Sequence, residues 1–266
     1  MYRRKHHFLF SLASGGDLAD FLTSKDRPSG FGSDEIFYLA LCGLASAIEN
    51  VHDYTFNALD LELIDCHHDL NSKNMLIDGN KFILTDFGLS SFKSTKEKLK
   101  TIFKPGKGYY LAPKCEDFEE NFKKLTISHP SDVWSFSCMI ADVVTYMILG
   151  ADGVKDFGKT QVVKVMCEHK TSLFHAEKKQ NPGVEAWFTR LGTLGTQTDM
   201  MVIQEARKIL NLQLNACPKA KDIAARLRFL AVHSVFKART MKYMAVLKAC
   251  GSLEAVIELL RFKTWG

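Results

Sequence analysis

Three oxygen-bearing side chains flank one short predicted β-hairpin, and together they could perform phosphoryl-transfer chemistry. Asp69 and Asn74 precede the hairpin, and Asp86 follows it, twelve residues after Asn74. Because two loops that flank one hairpin meet at the same end of it, we expect these side chains to lie close together. Phosphoryl transfer needs a carboxylate that orients the attacking hydroxyl, and oxygen ligands for the Mg²⁺ that bridges the phosphates.

The elements that must position these residues are a hairpin and two long helices. Residues 75–85 contain two apolar runs around Asp78-Gly79-Asn80, which is typical of a tight hairpin turn. Residues 34–52 carry an i, i+3, i+4 apolar stripe after a predicted N-cap at Ser33. Residues 131–149 are apolar almost all round, which predicts a helix buried at the centre of a domain.

Apolar periodicity predicts more helices and few strands, so the expected fold class is mainly α with a small β-hairpin component (α+β). Further helices are predicted for residues 154–168, 183–191, 198–213 and 219–231. Residues 234–262 are predicted to form two helices, with a break at residues 250–252.

Composition places the chain among ordinary globular proteins. Of its 266 residues, 46% are hydrophobic and 24% are charged, which excludes a disordered or collagen-like chain. The net charge of +5 suits an acidic partner without requiring one, and it does not indicate nucleic-acid binding.

Cysteine usage and hydropathy indicate where the protein works. The seven cysteines form no CxxC pair and are odd in number, so neither a disulfide framework nor a zinc site is expected. The longest apolar stretch, Cys138–Leu149, contains Asp142 and is shorter than the ~20 residues that span a bilayer. We therefore expect a cytoplasmic (intracellular) protein with reduced thiols and no membrane partner.

Four motifs follow one another in an order that identifies a family. They are HHDLNSKN at 67–74, DFG at 86–88, APK at 112–114 and SDVWSFS at 131–137. The chain resembles the eukaryotic protein kinases, in which the motifs HRDLxxxN, DFG, APE and DVWSFG follow one another in the same order.

The resemblance extends on both sides of these motifs. Residues 8–22 are similar to the kinase hinge and the helix after it, and residues 217–227 are similar to the last helix of the large lobe. The chain looks closest to a fungal group of serine/threonine protein kinase-like proteins. These matches imply a kinase-like domain over residues 1–232, followed by a C-terminal helical extension over 233–266.

The resemblance implies ATP and Mg²⁺ as cofactors and assigns roles to individual residues. Asp69 would be the catalytic base, and Asn74 and Asp86 would hold Mg²⁺. The implied nucleotide contacts are the backbone at Ser11 and Ala13, Asp17 on the ribose and Leu76 under the adenine.

Three further residues receive structural roles from the same resemblance. His67 and Phe87 would stack on each other in the core. Asp132, at the start of the predicted central helix, would brace the backbone of the loop that carries Asp69.

Some kinase features are missing from these residues. No GxGxxG motif occurs, and no lysine lies on a strand upstream of the hinge-like segment, which begins at Phe8. We therefore expect a kinase-like fold that consists of the C-lobe without the N-terminal β-lobe. A chain of this kind should have weak or no activity alone.

The missing lobe would leave its contact face open. Phe10, Leu12, Leu76 and Phe87 should line a cleft floor that forms an exposed apolar patch. Because such patches promote association, self-association through this face is expected.

Three functions remain open at this point. The first is a Ser/Thr protein kinase that either works through a separately supplied small lobe or is an incomplete chain, and the sequence names no protein substrate for it. The second is an inactive kinase-derived binding module, favoured by the missing lobe and by Lys114 in place of the Glu of APE. The third is a small-molecule kinase of the antibiotic-phosphotransferase type, against which the DFG, AP and DVWSF series argues.

Overall fold

The computed structural model shows a mostly helical protein with small β-hairpins. It describes residues 10–56, 61–64, 66–90, 93–94, 101–102, 109–113, 126–127, 129–165, 169–176, 179–211 and 218–250. The helices are α1 Leu18–Thr23, α2 Asp34–His52, α3 His129–Thr160, α4 Pro182–Leu194, α5 Gln197–Asn211 and α6 Ala220–Cys250.

All strands of the described residues are short and pair antiparallel. The strands are β1 Tyr54–Phe56, β2 Leu61–Ile64, β3 Met75–Asp78, β4 Lys81–Leu84, β5 Lys93–Ser94, β6 Thr101–Ile102, β7 Thr126–Ile127, β8 Val162–Val165, β9 His169–Ser172, β10 His175–Ala176 and β11 Lys179–Gln180. β2 lies between β1 and β5, and the other strands form two-stranded hairpins or ladders. The β3–β4 hairpin turns at Gly79, whose φ of +58° suits a residue without a side chain.

Helix α3 is the centre of the core, as its apolar sequence predicts. Its largest fully buried side chains are Trp134, Phe136, Tyr146 and Phe157, and it contacts α1, α2, α4 and α5. The helix bends at Gly150, whose φ of 68° lies in the left-handed region. By length and apolar composition α3 could cross a membrane, but 78% of its apolar window is buried inside the protein, as in any central core helix.

An aromatic cluster joins the N-terminal helices to the β3–β4 hairpin. Phe31 lies 4.9 Å from Phe21 of α1, 4.8 Å from Phe37 of α2 and 5.2 Å from Phe82 of β4, measured between ring centroids. Phe21, Phe31, Phe37 and Phe82 are buried, so these contacts add ring–ring attraction to the burial of a large apolar area. The cluster fixes the hairpin, and with it the two loops at the hairpin's end.

The predictions for 34–52 and for the hairpin within 75–85 are confirmed by α2 and β3–β4. The helix predicted at 154–168 is wrong in its second half, because α3 ends at Thr160 and β8 follows. Val162 and Val163 are β-branched, and they pair with Ser172 and Thr171 of β9 instead of extending the helix.

The separation predicted between helices at 219–231 and 234–262 is also wrong. α6 continues without interruption from Ala220 to Cys250, so position 232, where we expected the kinase-like domain to end, falls inside a helix. Ser234 donates its hydroxyl to the carbonyl of Ala231, a bond that a serine makes without leaving the helix. Residues 251–262 lie outside the described part of the chain.

Replacement of Gly30 by alanine tests the packing of the hairpin turn. A Cβ atom added at Gly30 would lie 2.2 Å from the carbonyl oxygen of Gly79. A Cβ atom added at Gly32 would meet no neighbouring atom within 4 Å. We expect Gly30→Ala to lower the free energy of unfolding by about 1–3 kcal/mol, since backbone must shift. Gly32→Ala is the control and should change it by less than about 0.5 kcal/mol in urea unfolding. Equal losses in the two variants would contradict this packing.

Candidate active site

A buried carboxylate anchors the loop that carries Asp69. Asp132 lies in the first turn of α3, and its Oδ2 accepts hydrogen bonds from the backbone amide of His67 at 2.7 Å and from His52 Nε2 at 2.9 Å. Its Oδ1 accepts from the backbone amide of His68 at 3.0 Å. Burial alone would raise the pKa of Asp132, but the bonds from His52 and His67 outweigh burial and lower it. The predicted bracing role of Asp132 is confirmed.

His67 joins this loop to the segment after the hairpin. Its ring nitrogen Nε2 lies 2.8 Å from the carbonyl oxygen of Thr85, and its ring centroid lies 5.0 Å from that of Phe87. The two rings are therefore in contact, but they meet edge-on at an interplanar angle of 64°, and Phe87 is 42% exposed, so the predicted stacking in the core is wrong. The next residue, His68, has a φ of 69°, a left-handed conformation that costs energy for a residue with a side chain. The two hydrogen bonds to Asp132 hold the backbone in this conformation.

Asn71 and Asn74 fix the orientation of the Asp69 carboxylate. Asn71 Nδ2 donates to Asp69 Oδ1 at 3.1 Å, and Asn74 Nδ2 donates to Asp69 Oδ2 at 2.9 Å. Both amides also donate to the carbonyl oxygen of Asp69, at 3.0 Å and 2.8 Å. The carboxylate is only half-buried, so it is held in one orientation while it stays accessible.

Thr85 places Asp86 beside Asn74. The backbone amide and the hydroxyl of Thr85 both donate to the carbonyl oxygen of Asn74 at 3.0 Å. Asp86 follows directly with a left-handed backbone, φ 60° and ψ 68°, and its Oδ1 accepts from the amide of Gly88 at 3.2 Å. The structure therefore brings together the three residues that the sequence grouped. Asp69 is hydrogen-bonded to Asn74, and Asp86 follows Thr85, which is itself hydrogen-bonded to Asn74.

The oxygen atoms of this site fit a hard cation. Asn74 uses its nitrogen for both bonds to Asp69, so neither bond uses its Oδ1, and the Asp86 carboxylate is exposed. Carboxylate and amide oxygens are ligands that suit Mg²⁺. Among the described residues, no group of three or more His, Cys, Asp or Glu side chains is placed so that it could hold a metal ion.

Two of the four residues assigned to the nucleotide lie against each other. Asp17 and Leu76 form an isolated antiparallel bridge, continued by a hydrogen bond from Gly15 N to the carbonyl of Ile77 at 3.0 Å. Asp17 Oδ1 also caps α1 by accepting from Asp20 N at 2.9 Å. Ser11 and Ala13 precede this bridge in the chain, Ser11 exposed and Ala13 half-buried.

A cleft of about 660 Å³ opens beside Asp69. Its walls come from α1, from the 69–74 loop, from Tyr109 and Tyr110, and from α3. Sites for small ligands are typically ~300–1,000 Å³, so the volume of this cleft lies within that range.

Asp142 lies in the wall of this cleft, and no sequence motif assigned it a role. It is buried in α3, where it accepts hydrogen bonds from the hydroxyls of Tyr110 at 2.6 Å and Tyr109 at 3.4 Å. Burial raises its pKa to about 7, because the two tyrosine bonds offset only part of the lost hydration. The signal in the sequence was a lone carboxylate inside the apolar run 138–149.

Comparison with known proteins gives an independent view of these residues. A family model described as "Protein kinase domain" matches residues 1–221. The match includes every residue of the candidate site and ends at the start of α6.

Three relatives illustrate the same likeness. The chain is 29% identical over 140 residues to "Probable serine/threonine-protein kinase nek2" of Dictyostelium discoideum, covering 52% of this chain and 30% of that protein. It is 28% identical over 160 residues to "Probable serine/threonine-protein kinase MARK-B" of the same organism, covering 59% and 19%. It is 28% identical over 144 residues to "Calcium and calcium/calmodulin-dependent serine/threonine-protein kinase" of Oryza sativa subsp. japonica, covering 54% and 23%. The chain thus spans less than a third of the length of these relatives.

Replacement of Asp142 by asparagine tests the charge state of the cleft wall. The ordinary pKa of this carboxyl is 3.8, and in the folded protein it is raised to about 7. Between these two pH values the folded protein therefore binds the proton more tightly than the unfolded chain does. We therefore expect the wild-type protein to lose stability relative to Asp142→Asn as the pH rises through this window, by up to a few kcal/mol.

Urea unfolding at about pH 5 and about pH 8 measures this difference in the free energy of unfolding. Asp152→Asn, at an exposed position of the same helix, is the control and should follow the wild type at both values. A stability gap between wild type and Asp142→Asn that is constant with pH would show that Asp142 is ionised throughout.

Proposed function

Because this chain belongs to the protein kinase domain family, we propose that it transfers the γ-phosphate of ATP to Ser or Thr hydroxyls of a protein. The observation that carries this proposal is the bonding of the Asp69 carboxylate to Asn74, with Asp86 placed beside Asn74 by Thr85. The three relatives described above are each named as serine/threonine-protein kinases, and these names support the hydroxyl preference.

Asp69 orients the attacking hydroxyl in this proposal. Its carboxylate accepts the hydrogen bond of the substrate hydroxyl and then its proton, as a general base in phosphoryl transfer does. The bonds from Asn71 and Asn74 keep the accepting oxygens in one orientation, and the Asp132 anchor holds the loop backbone below them. Much of the catalysis in such reactions comes from positioning, so this rigidity is itself a contribution.

Asn74 Oδ1 and the Asp86 carboxylate would hold Mg²⁺. The ion, when bound, supplies positive charge that neutralises the phosphate oxygens. Asp86 has a left-handed backbone at the end of the hairpin, and its exposed carboxylate follows the bond that joins Thr85 to Asn74.

The nucleotide would lie along the segment that precedes α1. Backbone groups at Ser11 and Ala13 would meet the adenine edge, and Leu76 would lie beneath the ring. Asp17 would reach the ribose, and the bridge between Asp17 and Leu76 supports a shared site for these two residues. The bond from Asp20 N uses only Oδ1 of Asp17.

A second candidate function is a kinase-derived binding module without catalysis. Three of the four residues predicted to form an exposed apolar face are open to a partner, since Phe10 and Leu12 are each 89% exposed and Phe87 is 42% exposed, whereas Leu76 is half-buried. The 266 residues also contain no GxGxxG motif to cover ATP phosphates. In this alternative the exposed face binds a protein, which includes a second copy of the chain.

Nucleotide binding and turnover separate the two candidates. We expect the wild-type chain to bind ATP in a Mg²⁺-dependent manner, and Asp86→Asn to weaken that binding at least ~10-fold because a metal ligand is lost. Asp69→Ala should keep MgATP binding but lower any residual phosphoryl transfer to a protein substrate to background, because the wild-type chain is itself expected to have weak or no activity alone. Calorimetric titration with ATP, with and without Mg²⁺, measures the first effect. A wild-type chain that binds no MgATP would favour the binding module.

Self-association through the face beside the site is tested by sedimentation velocity. We expect the wild-type chain to associate as its concentration rises, and the double variant Phe10→Ser, Leu12→Ser to remain monomeric because the exposed apolar area is reduced. Leu194→Ser removes an apolar side chain that is 54% exposed on α4, and this control should associate like the wild type. A monomeric wild-type chain would contradict the prediction.

A further inference from the structure

The outer face of α6 carries an unusual line of apolar side chains. Phe229, Val232 and Phe236 are 62%, 53% and 66% exposed, and their spacing of three and four residues places them on one side of the helix. We call these three residues the α6 stripe. The inner face of the helix, which includes Leu227 and Leu230, is buried where α6 packs on α2 and α5. α6 is therefore apolar on two sides, and the described part of the chain covers one of them.

After its first turn, α6 carries positive charge only. From residue 223 to 250 the sequence has six Lys or Arg residues and no Asp or Glu. Two of the six are neutralised by the body of the protein, since Arg226 pairs with Glu205 at 2.5 Å and Arg228 with Glu49 at 2.9 Å.

The basic residues beside the stripe are not neutralised in this way. Lys237 and Arg239 are exposed, and within the described residues no carboxylate forms an ion pair with either of them. At 100° per residue they lie on opposite sides of Phe236. The α6 stripe is therefore bordered by positive charge on both sides.

This surface is separate from the candidate active site. The family match ends at residue 221, and the α6 stripe begins eight residues later. The cleft beside Asp69 has no residue of α6 in its walls. The stripe is therefore not explained by phosphoryl transfer, and any role of the stripe is independent of the proposed function.

The positive charge beside the α6 stripe disfavours a second copy of the chain as its binding partner. Pairing two α6 stripes would bring Lys237 and Arg239 of each copy close to like charges, which disfavours association. An acidic partner instead gains attraction from the same residues.

The shape of the stripe favours a helix over a membrane surface. Helices that lie in a membrane interface bury a broad apolar face, whereas the broad face of α6 is already packed against α2. The spacing 229, 232, 236 is the a, d, a pattern by which one helix packs along another. The three side chains would bury roughly 300 Å², well below the ~800 Å² per partner of a stable interface, so the contact suits a transient complex.

We propose that the α6 stripe is a docking surface for an acidic amphipathic helix of another protein. The apolar seam of that helix lies on Phe229, Val232 and Phe236. Its Asp or Glu side chains, on both sides of the seam, pair with Lys237 and Arg239.

The test uses a fluorescent synthetic helix with leucine at a and d and glutamate at e and g, titrated with the full 266-residue chain. We expect the wild-type chain to bind this peptide and to bind a matched peptide with lysine at e and g at least ~10-fold more weakly. Phe229→Ala with Phe236→Ala should weaken binding of the glutamate peptide about 10-fold or more. Leu194→Ala, at the exposed apolar position on α4, is the control and should bind like the wild type.

A charge reversal gives a second, independent readout. Lys237→Glu with Arg239→Glu should abolish binding of the glutamate peptide and create binding of the lysine peptide. Both positions are exposed, so circular dichroism should show an unchanged fold.

Several results would overturn the proposal. They are the absence of binding to the glutamate peptide, equal binding of both peptides, and binding that survives loss of Phe229 and Phe236. Two further results would assign the surface to another occupant. Binding to phosphatidylserine vesicles in place of the peptide would indicate a membrane, and dimerisation that the Phe229→Ala, Phe236→Ala variant abolishes would indicate a second copy.

Discussion

The geometry of the candidate site depends on one buried carboxylate. Asp132 belongs to the central helix α3, and it binds the backbone of the loop that carries Asp69, at His67 and His68, and the ring of His52 from α2. A buried charge is tolerated only when hydrogen bonds replace its lost hydration, so these donors and the carboxylate hold one another in place. The left-handed backbone at His68 is maintained by the same bonds, and it directs the chain towards Asp69.

Two aspartates of α3 show how the donors around a carboxylate set its properties. Asp132 receives bonds from His52 and from two backbone amides, and its pKa is lowered although it is buried. Asp142 lies ten residues further along the helix, and its donors among the described residues are two tyrosine hydroxyls, so burial raises its pKa to about 7. One carboxylate is therefore a permanent anchor for the loop, while the other can change its charge near neutral pH in the wall of the cleft.

Much of the site could be predicted because its signals are local in sequence. The order of Asp69, Asn74 and Asp86 around one hairpin needs only a turn at residues 78–80, and the pairing of β3 with β4 bears this out. The resemblance of the motifs implied that Asp132 binds the loop, and the structure confirms it. The resemblance also implied that His67 and Phe87 stack in the core, whereas the rings meet edge-on and Phe87 is exposed. The path of the chain after Thr160 could not be read in this way. The two valines at 162 and 163 suit a strand as well as a buried helix, and the partner strand decides between them.

The sequence by itself determined the family resemblance, the central helices, the hairpin and the identity of the residues at its end. These properties depend on periodicity, turn chemistry and residue spacing, which act over a few positions. Only the tertiary structure decided which charged groups are partnered and which apolar groups are covered. His52 reaches Asp132 across 80 positions and Tyr110 reaches Asp142 across 32, while Phe229 and Phe236 are exposed because α2 packs on the opposite face of α6. Solvation and hydrogen bonding depend on which segments meet in space, and no local pattern contains that information.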